Sequence, residues 1–386
     1  MGRFCKSPWT QISISSDGQL LPCCRYIHSQ KDDGHKLPKL SEGKLDDLWN
    51  GEEFKKLRQS FLDGIEPEEC NDCWLRENTG QDSMRHWINN SNDRKYKSTF
   101  APPPTHYDLK TTNVCNQRCR MCGPTNSSLI VKEMLKHKNP RLDKTKVKLY
   151  TSNKIIDTPN EEVWKSWIPH IRQMLIAGGE PFTCTEVKQL VKSVILYMRH
   201  PHVHLDMVTN GSFYDETLFQ YLLLFKSFTL HVSVDDLYER NEYARDRSVW
   251  DEFEENVMKF KHHIDKYSEH NIMFNTTINN YNVWYMKEFF DWVDEFGIPT
   301  DVHFVHDGGS PHLSPKNLNQ KIKDKIIEKY RGSNDSRLQT LITYIKQDGP
   351  DTTEKFKKFT NSFDKIRKQS FSTTFPEWSE VIYKYS

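Results

Sequence analysis

Three cysteines, Cys115, Cys119 and Cys122, stand within eight residues in the stretch CNQRCRMC. Thiolates are soft metal ligands, and three on so short a loop can reach neighbouring corners of one metal centre. A closed structural zinc site takes four protein ligands. No fourth cysteine or adjacent histidine completes this set, the closest histidines being His106 and His137. A four-iron cluster held by three cysteines keeps one iron open to a substrate or cofactor, as catalytic zinc keeps a free position. The missing fourth ligand therefore points to chemistry at the open position.

The other six cysteines divide differently. Cys5, Cys23, Cys24, Cys70 and Cys73 fall in the first 73 residues, and Cys184 stands alone. Cys5, Cys23, Cys70 and Cys73 can close a second centre, with Cys24 as a spare or exchanged ligand. Four thiolates suit either a four-iron cluster or a zinc knuckle. Cys184 reads as a small buried apolar side chain. With 54 basic and 53 acidic residues the formal charge is +1, so no global pull toward nucleic acid or an anionic membrane is expected. The opening MGRFCKSPWT lacks the apolar core of a signal peptide, and no run of about 18 apolar residues could span a bilayer. The expectation is a cytoplasmic chain, in whose reducing surroundings clustered cysteines hold metal. The basic stretch Lys132 to Lys148 has no interleaved aromatics and reads as a solvated face. His200, His202 and His204 show no ligand spacing.

These residues need elements to hold them. A chain of 386 residues can bury the core of one large α/β domain plus a smaller module. Residues 9–22 alternate polar and apolar around Ser-Asp-Gly, a hairpin that delivers Cys23 and Cys24. Leu45, Leu48, Trp49, Phe54, Leu57 and Phe61 then recur at helical spacing before the CNDC pair Cys70 and Cys73. Residues 1–97 form a cysteine-centred α+β module. Residues 98–104, with three consecutive prolines, form an extended linker. From residue 105 a strand-then-helix rhythm sets in, with strands predicted at 106–112, 172–178, 204–210, 228–234, 272–278 and 301–306. Such alternation implies a parallel sheet with right-handed crossovers, and six units suit a partial (βα)6 TIM-like barrel over residues 105–313. Chemistry is expected at the carboxyl ends of its strands, and the three cysteines follow the first of them. Residues 314–386 read as polar amphipathic helices that cover the barrel's open side or bind a partner.

The CNQRCRMC spacing resembles that of the radical S-adenosylmethionine (radical SAM) enzymes. The resemblance implies that Cys115, Cys119 and Cys122 hold a [4Fe–4S] cluster whose open iron binds the amino and carboxylate groups of SAM. It implies reductive cleavage of SAM to a 5′-deoxyadenosyl radical that abstracts hydrogen from a substrate, the protein supplying position and exclusion of water. Later strand ends match in order: Gly178, Gly179 and Glu180 in GGEP, Asn210 in VTNG, Ser233 in SVDD and Arg245 in YARD. The resemblance implies SAM contacts at these residues, with Gly178 and Gly179 admitting the methionine end past an absent Cβ. Relatives carry an aromatic residue before the third cysteine; this chain has Met121, whose sulfur can still pack on the adenine. Gly18 five positions ahead of Cys23, the PCC pair and CNDC are similar to the auxiliary-cluster domains called SPASM and twitch, which implies a second [4Fe–4S] cluster. The implied activity is modification of a peptide or protein side chain, with a low-potential electron donor such as a flavodoxin or ferredoxin. The alternatives are oxidation or rearrangement of a small molecule (a sugar, nucleoside or cofactor precursor) and a non-catalytic zinc-stabilised binding module.

Overall fold

The computed structural model describes residues 3–16, 18–26, 37–78, 82–91, 93–138, 147, 167–198, 202–305 and 310–386. Asp17 of the predicted turn, His200, residues 139–146 and 148 of the basic stretch, and His306 of the sixth predicted strand lie outside them.

Among the described residues ten strands follow in chain order: β1 (Gln11–Ile14), β2 (Leu20–Leu21), β3 (His106–Lys110), β4 (Arg118–Cys119), β5 (Gln173–Ala177), β6 (His204–Thr209), β7 (Ser227–Ser233), β8 (Arg245–Asp246), β9 (His270–Ile278) and β10 (Thr300–Phe304). Six of them, β3, β5, β6, β7, β9 and β10, lie side by side in that order and run parallel. They are the six predicted strands. Helices alternate with them, and burial explains their placement. In Trp250–Ile264 the buried residues Trp250, Phe253, Val257, Phe260 and Ile264 recur at three and four, which gives one apolar stripe to lay on the sheet. Met286–Phe296 does the same with Met286, Phe289, Phe290 and Val293.

The strands alternate in what they face. Tyr107, Leu109, Met174, Ile176, Leu205 and Met207 are buried on the helix side. Asp108, Asp206, His231, Asp301 and His303 line a single cavity of about 430 Å³ on the other. In a flat sheet β3 and β10 would stand about 24 Å apart, five steps of some 4.8 Å each. Residues of both line one cavity, so the sheet is curled around a polar lumen. β2 and β10 are its two edges, and among the described residues they do not pair with each other, so the barrel is partial.

The N-terminal hairpin enters this sheet directly. β1 lies parallel to β3, with Ile12 opposite Tyr107, and β2 returns antiparallel on its outer side. The predicted helix at residues 45–62 is two helices, Leu45–Trp49 and Glu52–Leu62, parted at Asn50 and Gly51. The break serves packing. Asn50 Oδ1 accepts from Ala101 N (2.9 Å) and Arg58 Nη1 (3.2 Å), and the buried Arg58 guanidinium donates to the carbonyls of Pro8, Trp49 and Thr99. Trp9 Nε1 donates to Ser98 O and Trp49 Nε1 to Pro102 O. The proline-rich stretch is thus strapped along the module.

The C-terminal region is helical: Gln320–Tyr330, Ser336–Ile345, Thr353–Arg367, Phe371–Thr374 and Pro376–Tyr385. It packs against the segment after β9, where Tyr330 Oη donates to Val283 O (2.8 Å) and Trp378 Nε1 to Asn280 O (2.6 Å).

Candidate functional site

The three-cysteine loop leaves the carboxyl end of β3 and is tied to the ends of three other strands. Glu180 N, after β5, donates to Val114 O (2.8 Å). Asn210 Nδ2, after β6, reaches Cys115 Sγ (3.9 Å) and Asn116 Oδ1 (2.9 Å). β4 pairs with β8, placing Cys119 opposite Arg245, whose Nη1 lies 4.0 Å from Cys119 Sγ. Arg245 is in turn ion-paired with the fully buried Asp235 (2.8 Å). Beyond the loop, the Ser127 hydroxyl donates to Gln117 O (2.7 Å) and caps the helix Ser128–Lys136. The three thiols share one small neighbourhood and are not alike. Burial pushes Cys115 up to about 12. Cys119 is held below the ordinary thiol value by a hydrogen bond from Cys122 and by Arg245, and Cys122 is raised correspondingly.

The strand-end residues converge here, each with a local reason. Gly178 and Gly179 both have positive φ (88° and 55°). A Cβ on Gly178 would lie 2.8 Å from Thr112 O, and one on Gly179 would lie 2.1 Å from Val114 O. The space that glycine leaves is therefore filled by the cysteine loop's own backbone. Glu180 is fully buried. Its Oε1 accepts from Phe182 N and Thr209 Oγ1, its Oε2 from Asn210 N, so it stitches β5 to β6 beneath the loop. Asn210 Oδ1 accepts from Ser212 N (2.9 Å). Ser233 closes β7 opposite Asn275, and Met121 is half-buried against the main core.

The first-module cysteines sort into two places. Cys5, Cys23, Cys70 and Cys73 line one enclosed cavity together with Trp74 and Arg85. Burial raises all four thiols, Cys5 to about 12, so an ionised set there needs a cation to replace its protons. Cys24 turns the other way and lines the barrel lumen beside Asp108. Cys184 is buried, as expected, with its Sγ 3.5 Å from Glu186 Oε2.

Several residues at these sites escaped sequence reasoning. In the lumen Asp206 Oδ1 meets His231 Nε2 (2.9 Å) and its Oδ2 meets His204 Nε2 (3.2 Å). Burial alone would raise this carboxyl, and the two imidazoles outweigh it and hold it well below the usual range. The alternation in HLDMVTN and FTLHVSV was the available signal: Asp206 and His231 occupy positions opposite in phase to the apolar ones. Asp235 sits inside the quoted SVDD, where only Ser233 was singled out. Arg118, Arg120 and Glu133 flank the cysteines, and no pattern in the sequence tells their partners.

The donor set fits iron–sulfur ligation. The buried Cys119 and half-buried Cys115 and Cys122 at the strand ends are three thiols, one short of a closed set, and four more surround a separate cavity; among the described residues neither set is already drawn together as a metal-holding group, so the match is one of donor chemistry and number. A family model described as an iron–sulfur cluster-binding domain, SPASM, matches residues 5–74. The model of the radical SAM superfamily matches residues 109–293. No curated protein matches the chain. Similar solved structures include anSMEcpe with bound AdoMet, at 17% identity and a TM-score of 0.41, covering 59% of this chain and 56% of that one. Another is anSMEcpe with bound AdoMet and a Cp18Cys peptide, at 14% identity, TM-score 0.35, covering 57% and 55%. A third is SuiB of Streptococcus suis bound to its precursor peptide SuiA, at 11% identity, TM-score 0.37, covering 80% and 64%. The chain thus spans little more than half the length of the two anSMEcpe chains. Among the described residues no helix is long and apolar enough to cross a membrane. Both matched domains imply [4Fe–4S] clusters, and the chain carries a SPASM domain at residues 5–74 ahead of a radical SAM domain at residues 109–293.

Proposed function

We propose that this protein cleaves SAM at a cluster held by Cys115, Cys119 and Cys122 and abstracts hydrogen from a peptide or protein side chain inside the barrel. The observation that carries the reading is the position of the lumen. It is bounded along the strands by Asp108, Asp206 and Asn275, and on the module side by Cys24, Met84 and Trp87. A substrate there touches the module through Cys24, the neighbour of Cys23, and the strands β3, β5 and β6 whose carboxyl ends hold the three-cysteine loop. A cavity of about 430 Å³ is in the range that encloses a small molecule or one side chain. The exposed Trp87 at its rim offers an apolar surface to a longer peptide.

When bound, the cluster and SAM supply a 5′-deoxyadenosyl radical. The chain's own residues set the stage for it. Asn210 steadies the Cys115 end of the loop and Arg245 the Cys119 end. Gly178 and Gly179 let the loop sit directly on the strand ends, with Ser233 and Met121 at its border as SAM contacts. The paired Asp206, His204 and His231 give the lumen a fixed polar wall on which a substrate group can be oriented. Cys5, Cys23, Cys70 and Cys73 hold the auxiliary cluster, and Cys24 is a lumen residue. Electrons come from a low-potential donor of the flavodoxin or ferredoxin kind.

The test is anaerobic reconstitution with iron and sulfide. Wild-type protein binds about eight irons per chain, two four-iron clusters. Cys70→Ala retains SAM-dependent release of 5′-deoxyadenosine and loses turnover. Deuterium on a candidate substrate then tells the classes apart: label from a peptide side chain entering 5′-deoxyadenosine supports the reading. Label that arrives only from small molecules, or stoichiometric zinc without SAM cleavage, contradicts it.

A further inference from the structure

The C-terminal helices reach the cysteine loop at two points that lie beside its central ligand. Arg120, next to Cys119, has a side chain with no exposed surface. Its Nη2 donates to Asp364 Oδ1 (2.7 Å) and Gln369 Oε1 (2.8 Å), and its Nε to Tyr243 O (3.1 Å). The guanidinium lies 3.7 Å from the Tyr243 ring centroid, and the Tyr243 hydroxyl donates to the same Asp364 oxygen (2.6 Å). Asp364 Oδ2 accepts from Phe371 N (2.7 Å), so this carboxylate joins the end of the helix Thr353–Arg367 to the loop.

The second contact is Arg367, the last residue of that helix. Its side chain is also without exposed surface. Its Nη2 and Nε donate to Glu133 (2.8 and 3.1 Å). Glu133 is shared with Arg118, on the other side of Cys119, at 2.9 Å, and Arg118 continues to Asp246 at 2.7 Å. Two arginines, one buried and one partly exposed, thus meet one buried carboxylate. Nη1 of Arg367 is buried with no hydrogen-bond partner, an arrangement that costs free energy unless the charge serves something nearby.

We infer that the C-terminal extension completes the cluster site: Arg367 is a positioning residue that, through the Glu133 carboxylate it shares with Arg118, sets the charge around the loop that carries Cys119, while Asp364 locks Arg120 and so the loop. The inference rests on the reading that Cys115, Cys119 and Cys122 hold the cluster. An iron–sulfur cluster becomes more negative on reduction, so a buried cation nearby makes reduction easier and a buried anion makes it harder.

The test compares Arg367→Gln, Arg367→Lys and Glu133→Gln in the full reconstituted chain. The readouts are iron and sulfide per chain and a redox titration of the EPR signal that shifts on adding SAM. Arg367→Gln moves the midpoint to more negative potential, Arg367→Lys restores it toward wild type, and Glu133→Gln moves it the opposite way. Should Arg367→Gln fail to fold or load, the Glu133→Gln shift decides alone. Wild-type midpoints in Arg367→Gln and Glu133→Gln, or shifts of the same sign in both, overturn the inference. A wild-type protein with no SAM-sensitive signal overturns the underlying reading and the inference with it.

Discussion

Gly179 and Gly297 have similar backbone angles, φ 55° and 71°, and opposite surroundings. A Cβ on Gly297 meets nothing within 4 Å, whereas one on Gly179 would fall 2.1 Å from Val114 O. Gly297→Ala should therefore cost about 1 kcal/mol from the left-handed backbone alone. Gly179→Ala should cost about 3 kcal/mol or more and displace Val114, and with it Cys115. Urea midpoints and iron content check the pair; equal losses would contradict the close approach. Beside it, Glu180 carries its proton to about pH 7, because burial outweighs the hydrogen bonds from Asn210, Phe182 and Thr209. A carboxyl raised on folding contributes stability that is full below its unfolded value near 4.5 and is lost as pH climbs through the folded value. Wild type should thus lose about 3 kcal/mol between roughly pH 4.5 and 7 relative to Glu180→Gln. Parallel pH profiles of the two proteins would contradict this.

At the level of elements, the six parallel strands were legible because each is a run of β-formers, five of them with Gly or Asn just beyond and the fourth stopped by Asp235 and Asp236. Their boundaries moved by about two residues at most, β9 starting two residues early at His270 and ending at Ile278 as expected. The two-residue strands β4 and β8 were not legible. They are separated by over a hundred residues, and two residues carry no period. The same holds for the joining of β1 to β3 and for Arg120 meeting Asp364, which are facts of tertiary assembly. The linker shows where local reading stops. Three prolines announced an extended chain, but the carbonyls that bind it depend on Arg58, itself a buried charge that the helical pattern hides. Arg58→Ala should cost about 3 kcal/mol, from several charge-assisted hydrogen bonds left without a donor, and should open residues 98–104 to proteolysis. A variant as resistant as wild type would show that the strap is held by the prolines alone.

Across the whole molecule, one sheet carries both cysteine sites. The hairpin that presents Cys23 to the auxiliary cavity and Cys24 to the lumen is an extension of the barrel wall, so module and barrel need no separate interface to stay in register. The C-terminal helices lie at the other end of the account, against the loop that follows β3. They meet Arg120 of that loop through Asp364 and Glu133 of the following helix through Arg367. The central claim is that the open corner among Cys115, Cys119 and Cys122 is where SAM reacts. Its most direct test is the yield of 5′-deoxyadenosine from dithionite-reduced, anaerobically reconstituted protein given SAM. Wild type should form it, and Cys119→Ala, with the auxiliary cluster still loaded, should form none. Equal yields from the two proteins, or none from a fully loaded wild type, would contradict the account.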